Sequence, residues 1–317
     1  MAVTMSQPTP ASDAEFRSGL VSIVGRPNTG KSTLMNALAG EKIAITSSRP
    51  QTTRHVVRGV VHRPGSQIVF VDTPGLHKPR TLLGQRLNDE VRNSLTDVDV
   101  IAITLPANEA VGPGDRLLAS EAAKVKRAPK VAVVTKAELV KPDQMAVHLM
   151  QVSNLAQQAG FEWAEVVPVS AVTGLQLDVL VDVLVPLLPQ GEAFFPQGQS
   201  TDEPEIVRIG ELIREASLEG VRDELPHSIA VLVDEVAPRE DRPKERPLTD
   251  VRATLFVERT SQKAIVIGRG GQRLREVGEQ ARHEIEALLG TPVYLDLCIK
   301  VAKDWQRDPK QLRRVGF

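Results

Sequence analysis

The sequence predicts an α/β unit followed by a smaller α+β module, and three observations carry that prediction. Between Gly19 and about Pro189, short apolar runs alternate with helix-like segments. A Pro-, Gly- and Gln-rich passage, PQGEAFFPQGQSTDEP, then interrupts the alternation, and beyond Pro204 the pattern changes to helices with a few longer strand candidates. With 317 residues, 41% of them hydrophobic, the chain is long enough to bury two cores.

Taken in order, residues 1–16 (MAVTMSQPTPASDAEF) have no charged start followed by an apolar run and read as a disordered tail. No apolar stretch reaches the length of a bilayer span, so a cytoplasmic protein that neither carries a secretory leader nor crosses a membrane is expected. LVSIVG, QIVFVDTPG, DVIAITLPA, KVAVVTK and AEVVPVSA each end in turn residues and lead into a helical pattern. That predicts a mostly parallel sheet with helices on both faces over 17–189. Residues 190–203 read as a linker.

The module over 204–317 opens with the helix EIVRIGELIREASLEG, followed by strand candidates around HSIAVLVDEVAP and VRATLFVER. Leu274, Val277, Ala281, Ile285 and Leu288 recur at helical spacing, and Val293, Leu295, Leu297, Ile299 and Val301 alternate as in a strand. QKAIVIG, taken alone, reads as a strand. The single cysteine, Cys298, excludes an internal disulfide, suits a reducing compartment and reads as a small buried apolar residue.

Net charge is −1, but from Arg259 to Phe317 there are 12 Lys/Arg against 7 Asp/Glu. That end is able to face a polyanion; a mixed, solvated surface is the alternative.

GRPNTGKS, Gly25 to Ser32, has phosphate-loop spacing between a strand and a helix. In such a loop Gly25, Asn28, Thr29 and Gly30 bring backbone N–H groups onto phosphate, Lys31 reaches the β and γ oxygens, the Ser32 hydroxyl is a magnesium ligand and Thr33 continues into the helix. DTPGL follows the strand QIVFV, so Asp72 sits at a strand's carboxyl end where it holds magnesium through water, and the Gly75 N–H senses a γ-phosphate. Between them SSRPQTTRH is too polar for a core and reads as a switch loop, with Thr52 or Thr53 supplying a second hydroxyl to magnesium.

Thr135, Lys136, Ala137 and Glu138 end the KVAVVT run, and SAVTG, Ser170 to Gly174, ends the next, the two places where this sheet meets a base. Guanine offers two donors that a carboxylate accepts, whereas adenine offers an acceptor at N1 that repels it. Glu138 therefore keeps the sign of the discrimination. Thr135 is shorter than an amide and cannot span the same gap, although its hydroxyl is able to tie this loop to the phosphate loop. Lys136 lays its stem along the base, and the Ala171 N–H meets the guanine oxygen. The expectation is an altered slot that still prefers guanine.

These motifs resemble the translation-factor-like GTPases, and the stretch IVIGRGGQRLREVGEQARHEIEALLGTPVYLDLCIKVAKDWQRDP resembles the KH domain of the bacterial Era family. GRPNTGKS, QTTRH, DTPGL and SAVTG stand in that family's order from Gly19 onward; the chain departs from it where the family has Asn-Lys-x-Asp. The resemblance implies a P-loop GTPase followed by a type II KH domain, with GTP or GDP and Mg2+ as ligands. It assigns the second magnesium hydroxyl to Thr53, so that Ser32, Thr53 and Asp72 form the metal set. It also implies that Asn28 helps bind K+, that Leu76 replaces a catalytic Gln, and that Lys31, Thr53, Gly75 and Asn28 carry the hydrolysis. Under it QKAIVIG becomes the helix before the KH loop.

Gly268, Arg269, Gly270 and Gly271 then form the G-x-x-G loop that clamps a single-stranded backbone, with Arg273 and Arg275 continuing the charge onto the next helix. At 3% aromatic residues, base stacking is limited and contact rests on phosphates, hydrogen bonds and apolar groups. The family binds the 3′ end of small-subunit (16S) ribosomal RNA. The leading expectation is a monomeric GTP-hydrolysing factor in assembly of the small ribosomal subunit. The competing one is an RNA-binding chaperone with degenerate nucleotide selectivity and little GTPase activity, which TKAE favours. DTPGL and the lack of a second-substrate lid count against a small-molecule kinase. Peripheral contact with the inner face of the cell membrane is kept as an alternative.

Overall fold

Val21, Ile23, Ile68, Phe70, Val100, Ala102, Val131 and Val133 are buried on one face of a sheet, and Val24, Ile101, Ile103, Leu105, Ala132 and Val134 on the other. Both faces of these strands are apolar, which is why they occupy the middle of a covered sheet. The computed structural model describes residues 16–47, 52–75, 81–219, 228–240, 242–243 and 246–315. The tail expected over 1–16 lies, except for its last residue, outside them.

The first unit runs β1 (Arg17–Val24), α1 (Lys31–Ala39), β2 (Val57–Arg63), β3 (Ser66–Asp72), α2 (Leu82–Thr96), β4 (Val100–Pro106), α3 (Pro113–Lys124), β5 (Lys130–Thr135), α4 (Pro142–Ala159), β6 (Glu165–Pro168) and α5 (Leu177–Leu184). Its six strands lie in the order β2-β3-β1-β4-β5-β6, with every pair parallel except β2–β3. The apolar-run pattern passes over β2, VRGVVHR, because this strand pairs on one side only and carries arginine and histidine. Helices α1 and α5 cover one face through Leu34, Met35, Leu180, Val181 and Leu184. Helices α2, α3 and α4 cover the other through Val91, Leu95, Leu118, Ala122, Val152 and Leu155.

The Pro- and Gly-rich segment after α5 is laid along this sheet. Gln67 on β3 holds it, its Oε1 accepting the N–H of Phe194 at 2.8 Å and of Phe195 at 3.0 Å, while Val60 N–H donates to the Ser200 carbonyl at 2.7 Å.

The second unit comprises α6 (Glu205–Leu218), β7 (Ala230–Pro238), β8 (Thr249–Val257), α7 (Thr260–Ile267), α8 (Gln272–Leu289), β9 (Val293–Val301) and α9 (Pro309–Arg314). Strand β8 lies between antiparallel β7 and parallel β9. Ile209, Ile213, Val251, Leu255, Val266, Val277, Ala281, Ile285, Val293 and Ile299 form its core. QKAIVIG through Ile267 is helical here, within α7, as the family resemblance implied and unlike the strand its composition alone suggests. Isolated apolar runs of this length do not distinguish strand from buried helix. Cys298 is exposed, which corrects the buried position expected for it. The alternation of β9 turns Val293 and Ile299 inward and Tyr294, Asp296, Cys298 and Lys300 outward.

A separate apolar cluster joins the two units: Leu83 and Leu87 of α2 pack with Ala230, Phe256, Ala302, Trp305, Leu312 and Val315. Burying each leucine contributes about 2 kcal/mol.

Candidate functional site

Strand β1 ends at Val24, and Gly25 follows in a space that admits no side chain: a Cβ there falls 2.0 Å from Thr104 Oγ1 and 2.6 Å from Thr29 Oγ1. Asn28 and Gly30 adopt left-handed conformations, with φ of 64° and 93°. Such turns gather successive N–H groups into an anion-binding concavity, and α1 begins at Lys31 with the positive end of its dipole facing the same point.

Lys31 is buried, and its Nζ donates to the carbonyls of Arg26 at 3.0 Å and Gly25 at 3.3 Å. Burial pushes its ammonium below the usual lysine range; Asp72 opposes that shift. The three residues assigned to magnesium come together. Ser32 Oγ donates to Asp72 Oδ2 at 2.6 Å, Thr53 Oγ1 donates to the same oxygen at 3.3 Å, and the two hydroxyls are 3.0 Å apart. Asp72 is fully buried, and its Oδ1 has no hydrogen-bond partner among the described residues. Burial raises its pKa, against the charge of Lys31 and the bonds from Ser32, Thr53 and Thr73.

One orphaned carboxylate oxygen beside two hydroxyls is a hard-oxygen set that fits Mg2+, which takes one or two carboxylates, waters and substrate phosphates. Among the described residues no group of three or more His, Cys, Asp or Glu gathers as a metal cluster. Gly75 lies against the phosphate loop, where a Cβ is 2.7 Å from the Pro27 nitrogen. Thr33 lines the cleft beside Ser32. Leu76, expected to replace a catalytic Gln, lies outside the described residues.

The base end is built differently. The Thr135 hydroxyl donates to the Thr29 carbonyl at 2.6 Å, the tie between loops expected of it, while Thr29 Oγ1 is 2.7 Å from Thr104 Oγ1. Thr135 is buried and committed to the phosphate loop. Lys136, left-handed at φ 58°, sets its Nζ 3.8 Å from Glu109, which also pairs with Arg26 at 3.2 Å. Glu138 stands exposed on a short turn, Ala137–Leu139. Ala137 N–H donates to the Val169 carbonyl at 3.1 Å, fastening this turn to the loop in which Ser170 Oγ accepts the Thr173 N–H at 3.1 Å and Ala171 is half-buried. Both loops therefore meet at the carboxyl ends of β5 and β6.

A seam forms between the switch loop, through Thr52 and Arg54 of QTTRH, and residues of the second unit that no sequence motif marked. Arg214 of α6 donates to the Thr52 carbonyl and is held by Glu211, Nε to Oε1 at 2.8 Å. Arg54 donates to the Ile229 carbonyl, and its guanidinium lies 5.7 Å over the Trp305 ring. Burial and the neighbouring Arg214 push Arg54 down to about 9. Thr46 N–H donates to Glu215 at 2.8 Å, and Lys42 pairs with Glu215 at 2.6 Å and Glu284 at 3.2 Å. A hint was the arginine inside QTTRH; nothing in periodicity points to Arg214.

In the second unit, Gly268 to Gly271 turn between α7 and α8, with Gly268, Gly270 and Gly271 at positive φ. Arg269 and Gly270 are exposed. Arg275 donates to the Gly270 carbonyl at 2.7 Å, and Arg273, packed against Gly268, donates to the Glu219 carbonyl. Beside this turn Leu274, Gly278, Arg282, Tyr294 and Leu297 line an open groove of about 350 Å³.

The chain matches the family model of the 50S ribosome-binding GTPase over residues 20–136 and that of the KH domain over residues 224–306. It is 61% identical to the GTPase Era of Streptomyces coelicolor over 314 residues, 99% of each chain. To the GTPase Era of Mycobacterium avium it is 62% identical over 304 residues, 96% of this chain and 99% of that one. A crystal structure of an Aquifex aeolicus Era variant bound to GDP·AlF4− superposes with a TM-score of 0.89 at 36% identity, covering 95% of this chain and 99% of that one. One of Era in complex with MgGDPNP and nucleotides 1506–1542 of 16S ribosomal RNA does so with a TM-score of 0.89 at 38% identity and the same coverage.

Proposed function

The chain belongs to the Era family of GTPases, and from that premise we propose that it hydrolyses GTP with Mg2+ in one unit while clamping the 3′ end of 16S ribosomal RNA with the other, as a factor in assembly of the small ribosomal subunit. The observation that carries this reading is the convergence of Ser32, Thr53 and Asp72 beside Lys31, with Thr52 and Arg54 on either side of Thr53 bonded to the second unit.

Phosphoryl transfer requires positioning and charge more than covalent chemistry from the protein. Lys31 and the phosphate-loop N–H groups hold the β and γ oxygens, Gly75 N–H meets the γ-phosphate, and Ser32, Thr53 and Asp72 hold the magnesium. The ion, when bound, supplies positive charge to those oxygens. Asn28, exposed at the cleft with a left-handed backbone, is assigned to K+ as in the family resemblance. In the base slot Lys136, Glu138, Ser170 and Ala171 read guanine, while Thr135 braces the phosphate loop.

Gly268 to Gly271 receive the RNA backbone, and Arg269 adds charge there. We divide the chain at 17–189, 190–203 and 204–317, as monomer units joined by the segment along the sheet. Among the described residues no helix is long and apolar enough to cross a membrane; the placement proposed is a cytoplasmic monomer, with peripheral contact at the inner face of the cell membrane as the alternative.

The test is the affinity of the full chain for an oligonucleotide of the 16S 3′ end when empty, loaded with GDP, or loaded with a non-hydrolysable GTP analogue. State-dependent affinity is expected; equal affinity in all three states overturns the link between the units.

A further inference from the structure

We propose that Arg214, on the first helix of the RNA-binding unit, is a positioning residue for the magnesium ligand Thr53 in the other unit. The proposal rests on the assignment of Thr53 to magnesium made above. Arg214 is 2% exposed and donates to the carbonyl of Thr52. That carbonyl and the Thr53 nitrogen belong to one planar peptide unit, so holding the oxygen fixes the plane from which Thr53 departs. On the far side of Thr53, Arg54 is anchored to the Ile229 carbonyl and set over Trp305. Both neighbours of Thr53 are thus gripped by the second unit, while its own hydroxyl faces Ser32 and Asp72.

The grip is rigid for a physical reason. Glu211 takes Arg214 through both carboxylate oxygens, Nε to Oε1 at 2.8 Å and Nη2 to Oε2, which locks the planar fork. Letting go of Thr52 leaves a buried cation with a lost acceptor, a costly state as long as the seam stays closed. Docking of the RNA-binding unit therefore sets where the magnesium hydroxyl stands. By reciprocity, magnesium drawing on Thr53 pulls at the seam.

The experiment uses the full chain carrying Arg214→Met, Arg214→Lys, Glu211→Gln or Thr53→Val. Binding of a fluorescent non-hydrolysable GTP analogue is followed across a Mg2+ titration, with magnesium-free GDP binding and thermal melting alongside. Partners of metal ligands affect metal affinity by about 10-fold or more, so Arg214→Met is expected to raise the Mg2+ midpoint about 10-fold. Arg214→Lys recovers part of that, and GDP binding stays within about twofold. If the methionine variant does not fold, the lysine and Glu211→Gln variants carry the measurement with smaller shifts in the same direction. An unchanged midpoint in the Arg214 variants, while Thr53→Val shifts it, overturns the proposal. Parallel loss of GDP and analogue binding with a lowered melting temperature marks a purely structural arginine and overturns it too. A normal midpoint in Thr53→Val removes the assignment of Thr53 itself.

Discussion

The two ends of the nucleotide cleft are held in contrasting ways. At the phosphate end Lys31, Asp72 and Thr53 are buried, each bonded to several groups, and Gly25 has no space for a methyl. At the base end Glu138 is exposed and Val172, in the facing loop, is 78% exposed. Charge and desolvation concentrate where phosphate and magnesium go, because a buried carboxylate and ammonium tolerate few arrangements. Exposed side chains reading a base have more. Of the family's Asn-Lys-x-Asp, the final acid gives way to Glu138 at that looser end, whereas Thr135 stands at a buried position tied to the phosphate loop, which keeps its spacing. The substitution is also compensated inside the fold, because Thr135 braces Thr29.

The largest break of this contrast is Gly25→Ala. Overpacking at 2.0 Å from Thr104 Oγ1 costs up to about 3 kcal/mol. GDP affinity by calorimetry is therefore expected to fall about 100-fold. Next is Asp72→Asn. Affinity for a GTP analogue in Mg2+ drops about 30-fold, yet the nucleotide-free protein melts higher, because burial, which outweighs the charge of Lys31, already disfavours the charged carboxyl. A lower melting point shows that the ionised group stabilises the empty fold.

The smallest effects lie at the base end, and a pair of variants sharpens the comparison there. Glu138→Ala removes the charged hydrogen bond proposed to guanine, about 1.5 kcal/mol, and is expected to lower the preference for GTP over ATP about tenfold in competition binding. Thr135→Val weakens both nucleotides about fivefold, the loss of one neutral bond of about 1 kcal/mol, and leaves the preference unchanged. Altered discrimination in the valine variant assigns Thr135 to the base after all.

Much of this was legible in the sequence where periodicity and motif spacing agree. GRPNTGKS and DTPGL bring their own geometry because strand, turn and helix are contiguous in the chain. Less was legible where a segment's environment comes from elsewhere. Strand β2 is an edge strand with Arg58, His62 and Arg63 in it, so its apolar pattern is broken. QKAIVIG has the residues of a strand, and its helical state is set by packing Val266 into the core of the second unit. Cys298 was misplaced because a cysteine's usual burial outweighed the alternation of β9, in which its position faces solvent.

By itself the sequence pointed to an α/β unit followed by an α+β module, to a phosphate loop, and to the carboxylate and glycine loop proposed here for magnesium and an RNA backbone, since each depends on residues within one short stretch. Only the tertiary structure decided that Thr53 is flanked by two residues tied to the other unit, that Thr135, able from the sequence to reach the phosphate loop, is buried and committed to it, and that Arg273 bonds the Glu219 carbonyl. Those are contacts between residues far apart in the chain, fixed by where packed surfaces bring them, and no local pattern encodes the meeting.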